Sequence, residues 1–204
     1  MGAITRTLAN NITTGGVILP SGINNTSISN VTALPAGITT GKVLAQKSAN
    51  FQGTQTHTGN THVQVTDLSI THTMANSSNK IVLLAHIGCS QTISGGGLSG
   101  TNAFSFAVDG SRPSSLIGTP ASNRPGVTTR NGARGVNIDH SPGRLSLMGT
   151  YEPGDTSSHT YTVQVFCQTG ETAYINRVLG DDGDINESYE SRSNSTFMLM
   201  EVST

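Results

Sequence analysis

The fold class is decided by residues 160–167, which read TYTVQVFC. Every second residue from Tyr161 to Cys167 is apolar, and Thr, Gln and Phe lie between them. This period of two is typical of a β-strand that buries one face. A turn signal at residues 169–170 closes the stretch, and residues 173–179 are predicted to return as its hairpin partner.

Similar patterns continue outward from this strand. Alternating apolar residues predict strands at residues 63–74, 104–108, 145–151 and 197–202. The continuous apolar run 81–87 predicts a central strand that is covered on both faces. Seven or eight strands with turn signals, and no amphipathic helix of useful length, predict an all-β fold. We expect residues 43–204 to form an antiparallel β-sandwich of the jelly-roll type.

Residues 1–42 differ in composition from this predicted sandwich. They contain no acidic residue, and more than half of them are Gly, Ser, Thr or Asn. Such a segment cannot bury enough apolar surface to offset a backbone ordering cost of roughly 1–2 kcal/mol per residue. It is therefore predicted to be an extended N-terminal arm that becomes ordered by docking and assembly.

Repeated motifs within the arm suggest which residues dock. LPSGI at residues 19–23 recurs as LPAGI at 34–38, and apolar residues recur every five positions. This period fits short extended pieces stacked around an axis, although chance in a low-complexity tract is the alternative. The candidate docking residues are Ile4, Arg6, Leu8, Ile12, Ile18, Ile23, Ile28 and Ile38.

Charge is scarce along the whole chain. Charged residues make up 11% and the formal net charge is −1, against about 25% charged residues in a typical domain. No global field therefore favours nucleic acid or an anionic membrane, and residues 81–87 are too short to cross a bilayer. We expect neither partner. Cys89 and Cys167 are expected to be buried free thiols, with a disulfide as the alternative.

Four arginines are concentrated in a predicted loop at residues 111–143, where the single acid is Asp139. Guanidinium groups bind carboxylates and phosphates through paired hydrogen bonds. The loop could contact an acidic neighbouring subunit, contact an anionic cell-surface glycan, or be solvated. No aromatic residue is interleaved with the arginines, which argues against nucleic-acid binding. The candidate ligand or subunit contacts are Arg112, Arg124, Arg130 and Arg134.

Evidence for metal binding or catalysis is weak. Asp181, Asp182 and Asp184 could supply oxygen ligands to calcium, but their spacing is not that of an EF-hand, and a solvated or arginine-paired loop is the alternative. His57 and His62 could face one another across a hairpin and bind a metal, or be exposed polar residues. No zinc-protease or hydrolase-elbow motif occurs. We therefore expect no catalytic residue, no cofactor and no resident metal.

Both ends of the chain resemble virion structural proteins of marine tailed bacteriophages. The similar segments are residues 2–13 (GAITRTLANNIT), 23–32 (INNTSISNVT), 160–165 (TYTVQV), 173–177 (AYINR) and 195–202 (STFMLMEV). The resemblance implies a decoration or short fibre-like protein on the outer surface of the virion. It also implies an arm that docks on other virion proteins, a jelly-roll head and a homotrimer. The alternative is the host-receptor or glycan-binding head of a tail fibre.

Overall fold

The computed structural model describes residues 42–91, 102–131, 143–178 and 192–204. All of them fall within the unit Thr40–Thr204. Apart from Lys42, the predicted arm lies outside the described residues, and so do its eight candidate docking residues. The predicted ligand contact Arg134 and the calcium candidates Asp181, Asp182 and Asp184 also lie outside them.

Ten β-strands and one short 3-10 helix make up the regular structure of the described residues. The helix is Ser114–Leu116. The strands are β1 (Val43–Phe51), β2 (Gln55–Thr58), β3 (Val63–Thr73), β4 (Lys80–Gln91), β5 (Asn102–Val108), β6 (Thr129–Asn131), β7 (Gly143–Tyr151), β8 (Ser158–Cys167), β9 (Thr172–Ile175) and β10 (Ser195–Val202).

These strands form two antiparallel sheets that pack as a sandwich. The larger sheet has the order β1-β10-β4-β9-β2, and β7 also pairs with β4. The smaller sheet has the order β3-β8-β5-β6. From β3 to β5 and again from β7 to β9, successive strands alternate between the sheets, as in a jelly roll. The prediction of an all-β antiparallel sandwich is confirmed.

The core lies between the sheets and is built by the alternation seen in the sequence. On β8, Tyr161, Val163, Val165 and Cys167 are each fully buried, as the period of two predicts. They pack with the inward side chains of β4, β5 and β10 in one apolar cluster. Burial of this apolar surface is the main favourable term in the stability of the sandwich.

The predicted hairpin between β8 and residues 173–179 is wrong. β9 pairs instead with β2 and β4, in the opposite sheet. The turn after β8 contains Gly170 with φ +85°, a left-handed conformation that glycine adopts without strain. Beyond this turn, Ala173 and Ile175 are fully buried. β9 therefore buries its apolar side chains as a strand of the larger sheet.

The expectation that residues 81–87 are covered on both faces is also wrong. On β4, Ile81, Leu83 and Ile87 are fully buried, whereas Val82 and Leu84 are half-buried on the outer face. In β5, by contrast, every residue is buried. The chain after β5 returns beside it, and Thr128 donates its amide to the Phe104 carbonyl, 3.1 Å away.

Both cysteines are buried and carry free thiols, as expected from the sequence. The Cys167 thiol lies 3.3 Å from the carbonyl oxygen of His57 and 3.4 Å from that of Gly59. Burial raises the pKa of this thiol. The group is therefore protonated at neutral pH and donates to carbonyls rather than acting as a nucleophile.

Candidate functional site

The segment between β5 and β6 builds one wall of a cleft beside the smaller sheet. Thr128 Oγ1 donates to the carbonyl of Leu116 over 2.6 Å, and the amide of Gly118 donates to the carbonyl of Val127 over 3.1 Å. Glycine at position 126 allows the two segments to approach this closely, because a Cβ atom there would clash with the carbonyl oxygen of Gly118. The segment is thus held as a defined loop.

Arg112 connects this loop to His62, which lies immediately before β3. Its Nη1 lies 2.8 Å from His62 Nε2 and 2.8 Å from the carbonyl oxygen of Gly126. Predicted as a ligand or subunit contact, the Arg112 guanidinium is half-buried and already engaged by two acceptors of its own chain. These two hydrogen bonds of Arg112 therefore hold the loop in position.

His62 is the acceptor in this pair and also supports an aromatic ring. Its imidazole stacks on Phe166 with a centroid distance of 4.8 Å and an interplanar angle of 28°. Burial, together with the charges of Arg112 and His57, lowers the pKa of His62 to about 4. The ring is therefore neutral at pH 7, with its Nε2 lone pair accepting the Arg112 hydrogen bond.

The cleft itself has a volume of about 400 Å³. Guanidinium, amide and aromatic groups line it together, and none of the described lining residues is Asp or Glu. The lining residues include Asn60, Asn123, Arg124, Arg130, Phe166 and Gln168. A second depression of about 340 Å³ shares Asn60, Arg124 and Phe166 with the first. Two of the four predicted arginines, Arg124 and Arg130, are thus brought to one site.

A tight turn presents Arg124 to the cleft. Ala121 and Arg124 exchange two backbone hydrogen bonds of 3.1 and 2.9 Å, and Ser122 between them has φ +52°. The side chain of Arg124 is exposed, and no described carboxylate forms an ion pair with it. This guanidinium is therefore presented to solvent from a fixed backbone.

Phe166 and the three amide side chains were missed in the sequence analysis. The loop that carries the arginines contains no aromatic residue, whereas Phe166 comes from β8 and Asn60 from the β2–β3 connection. No local pattern marks these residues as functional, because Phe166 lies on the outer side of an ordinary alternating strand. Only the pairing of β8 with β5 brings them beside the arginines.

Several of the described histidines outside the cleft form hydrogen bonds within the fold. His57 Nε2 lies 2.9 Å from the carbonyl oxygen of Thr61. His159 bridges Asp109 and Asp155 at 2.6 and 3.0 Å, and the hydrogen bond to Asp109 is the main cause that raises the pKa of His159. Within the described ranges, no group of three or more His, Cys, Asp or Glu residues could hold a metal.

A second surface of interest is the outer face of the larger sheet. Leu84 pairs with Met198 on one side and with Met148 on the other, which forms an apolar row across three strands. Met148 is 72% exposed. The neighbouring row contains Val82 and Met200. No Asp, Glu, Lys or Arg stands in these two rows, which are therefore uncharged and partly apolar.

Comparison with known proteins identifies neither a family nor a function for this chain. No model of a known protein family matches the chain, and no curated protein matches its sequence. The described residues include no helix with the length and apolarity needed to cross a bilayer.

The low pKa of His62 leads to a prediction for the native protein in solution. An NMR titration of the His62 ring should give a midpoint of about 4. Because the unfolded state takes up this proton near pH 6.5, the contribution of His62 makes the fold less stable as the pH falls from 6.5 to 4. Arg112→Gln should move the midpoint back toward 6.5, since it removes the neighbouring positive charge. A native midpoint near 6.5 would contradict the described pairing.

Proposed function

We propose that this chain is a structural protein on the outer surface of a bacteriophage particle. Residues 1–42 attach it to other virion proteins of the capsid or tail, and residues 43–204 form a non-enzymatic head. The resemblance of residues 2–13 and 195–202 to virion structural proteins supports this proposal. Under this proposal, the protein is a surface decoration or a short fibre-like appendage.

The two uncharged rows on the outer face of the larger sheet are the observation that favours an assembly role. An exposed row such as Leu84, Met148 and Met198 is stabilised when another surface excludes water from it. Charged residues are depleted at the centres of protein interfaces, and methionine is enriched there. Association of copies through this face is consistent with the homotrimer expected from the resemblance.

Deletion of residues 1–41 tests the attachment role. We expect the truncated head to keep its melting temperature but to be lost from particles, because the arm supplies the contacts with the virion. Lys42 is kept because its amide donates to Ser203 Oγ over 3.1 Å and its carbonyl accepts from the Ser203 amide over 2.9 Å. Quantitative mass spectrometry of purified particles measures the copy number.

A full-length Arg124→Ala variant is the matched control in this experiment. The change alters the exposed surface of the head and leaves the arm intact, so this variant should be incorporated at the normal copy number. Normal incorporation of the truncated head would contradict the attachment role of the arm.

The cleft favours a second function, that of a host-receptor or glycan-binding head. Carbohydrate sites commonly need planar polar groups for hydroxyls and an aromatic surface for the C–H faces of a ring. Asn60 and Gln168 supply planar amides and Phe166 supplies an aromatic ring in the lining of this one cleft. The two functions are compatible, since a head attached through its arm can present the cleft to a host surface in many copies.

A further inference from the structure

We propose that His159 acts as a proton-operated latch between two turns at one end of the sandwich. The protonated ring holds the β7–β8 turn, residues 152–157, together with the turn that follows β5 at residues 109–110. When the ring loses its proton, it releases the β7–β8 turn. This device goes beyond the proposed function, because it does not depend on what the arm or the cleft binds.

The geometry of the two contacts requires a charged ring. Nδ1 of His159 lies 2.6 Å from Asp109 Oδ2, and Nε2 lies 3.0 Å from Asp155 Oδ1. Hydrogen bonds lower the pKa of both carboxyl groups, which are therefore ionised at neutral pH. An ionised carboxylate only accepts hydrogen bonds, so both ring nitrogens must donate, and only the imidazolium carries a proton on each. The hydrogen bond to Asp109 is the main cause that raises the pKa of His159.

The two contacts respond differently when the proton leaves. A neutral imidazole keeps one N–H, and the shorter contact, to Asp109, is expected to retain it. The second oxygen of Asp109 also accepts the Thr160 amide over 2.8 Å, which holds this carboxylate in place. The lone pair on Nε2 would then face Asp155 Oδ1 at 3.0 Å. Because two acceptors at this distance repel each other, Asp155 is the partner that moves away.

Release of Asp155 loosens the whole β7–β8 turn, because few other side chains attach it. The Asp155 carboxylate also accepts the Ser157 amide over 2.7 Å, but this hydrogen bond lies within the turn and moves with it. The other described ion pair of the turn joins Glu152 to Lys80 at 2.9 Å. Both of its side chains are exposed, and exposed pairs contribute little. The contact with His159 therefore fixes the tip of the turn.

Other titratable groups surround His159 without bonding its ring. His72 is its cross-strand partner on β3, and the Nε2 atom of His72 lies 2.8 Å from Glu201 of β10. The Tyr161 ring lies edge-on to the His159 ring with centroids 6.4 Å apart, and Tyr151 of β7 lies edge-on to Tyr161. Burial raises the pKa of Tyr161, which therefore stays neutral. The two carboxylates bonded to His159 thus set the response of its proton.

An NMR titration of the full-length protein tests the latch. The midpoint of His159 should lie above 6.5, so its contribution to stability is fully present below pH 6.5 and is lost as the pH rises through the folded-state pKa. Above the midpoint, the ring nitrogen shifts should show the proton on Nδ1. Backbone order parameters of Gly154 and Ser157 should fall across the midpoint from about 0.85 toward about 0.6, whereas that of Thr160 should not change. A midpoint at or below 6.5, or order parameters that stay constant across it, would overturn the proposal.

Aspartate variants then assign the two contacts. Asp155→Asn should abolish the pH dependence of the turn, because an amide can pair with either form of the ring. Asp109→Asn should lower the His159 midpoint more than Asp155→Asn does, since the Asp109 hydrogen bond is the larger cause. Asp67→Asn is the matched control: Asp67 is exposed on β3 and has φ +60°, close to the +49° of Asp109, and both the midpoint and the turn should be unchanged. A turn that still loosens with pH in Asp155→Asn, or a larger fall of the midpoint in that variant, would contradict the assigned order of release.

Discussion

Replacement of Glu201 by alanine should lower the free energy of unfolding by about 3–5 kcal/mol. The Glu201 side chain is only 2% exposed and is on the inward face of β10. It accepts hydrogen bonds from His72 Nε2 at 2.8 Å, from the Ala75 amide at 2.8 Å and from Asn79 Nδ2 at 2.5 Å. In the alanine variant, these three donors would lose their acceptor. The donors belong to β3 and to the β3–β4 connection, whereas the acceptor belongs to β10 in the other sheet.

Thermal and urea denaturation measure this effect. For a chain of this size, a loss of that order corresponds to a melting temperature lower by roughly 6–20 °C. Glu201→Gln is the matched variant, since it keeps the shape and one acceptor oxygen, and it should be clearly less destabilising than alanine. A change of less than 1 kcal/mol in the alanine variant would show that the cluster contributes little.

The Glu201 cluster also has a pH signature. Burial alone would raise the pKa of Glu201, but hydrogen bonds from Asn79, His72 and the Ala75 amide outweigh it and lower the pKa below its ordinary value. Its contribution is therefore fully present above about pH 4.5 and is lost as the pH falls through the lowered pKa. Glu201→Gln should show a shallower loss of stability in acid.

Replacement of Asn176 by alanine should cost about 3–5 kcal/mol as well. The residue is fully buried. Its Nδ2 donates to the carbonyls of Phe51 and Gly53 over 2.7 and 2.9 Å, and its Oδ1 accepts from Ser195 Oγ over 2.7 Å. It therefore joins the end of β1, the end of β9 and the start of β10. Alanine removes all three hydrogen bonds.

Backbone conformation adds to this cost. Asn176 has φ +59°, a left-handed conformation that asparagine and glycine tolerate better than alanine does. Asn176→Gly should therefore be about 1 kcal/mol more stable than Asn176→Ala, although both lose the same hydrogen bonds. Asn176→Asp should be at least as damaging as alanine, because a carboxylate oxygen would face the two carbonyls. Equal stability of the alanine and wild-type proteins in urea would contradict this account.

Most of the strand positions could be predicted from the sequence, because a half-buried strand imposes a period of two on adjacent residues. β3, β5, β7, β8 and β10 all lie where alternating apolar residues indicated them. The sheet partner of β9 could not be predicted in this way. Residues 172–175 would present the same buried face in either sheet, and only the packing of Ala173 and Ile175 against the core decides between them.

The candidate site was predicted only in part. Arg124 and Arg130 were identified from their charge, but Arg112 was grouped with them although its partners, His62 and the Gly126 carbonyl, give it a supporting role. Charge and spacing report what a residue can bind, not what already binds it. Glu201 and Asn176 carried no signal either, since their importance comes from contacts more than a hundred residues away in sequence.

The amino-acid sequence by itself determined the all-β class and the inward face of most strands, because burial of alternate side chains acts between near neighbours in the chain. The tertiary structure alone decided which strands pair and which side chains meet in the cleft. Asn60, Arg124 and Phe166 come together only when β3, β8 and β5 form one sheet. That arrangement buries the apolar side chains of distant strands in one shared core, and no local stretch of sequence encodes it.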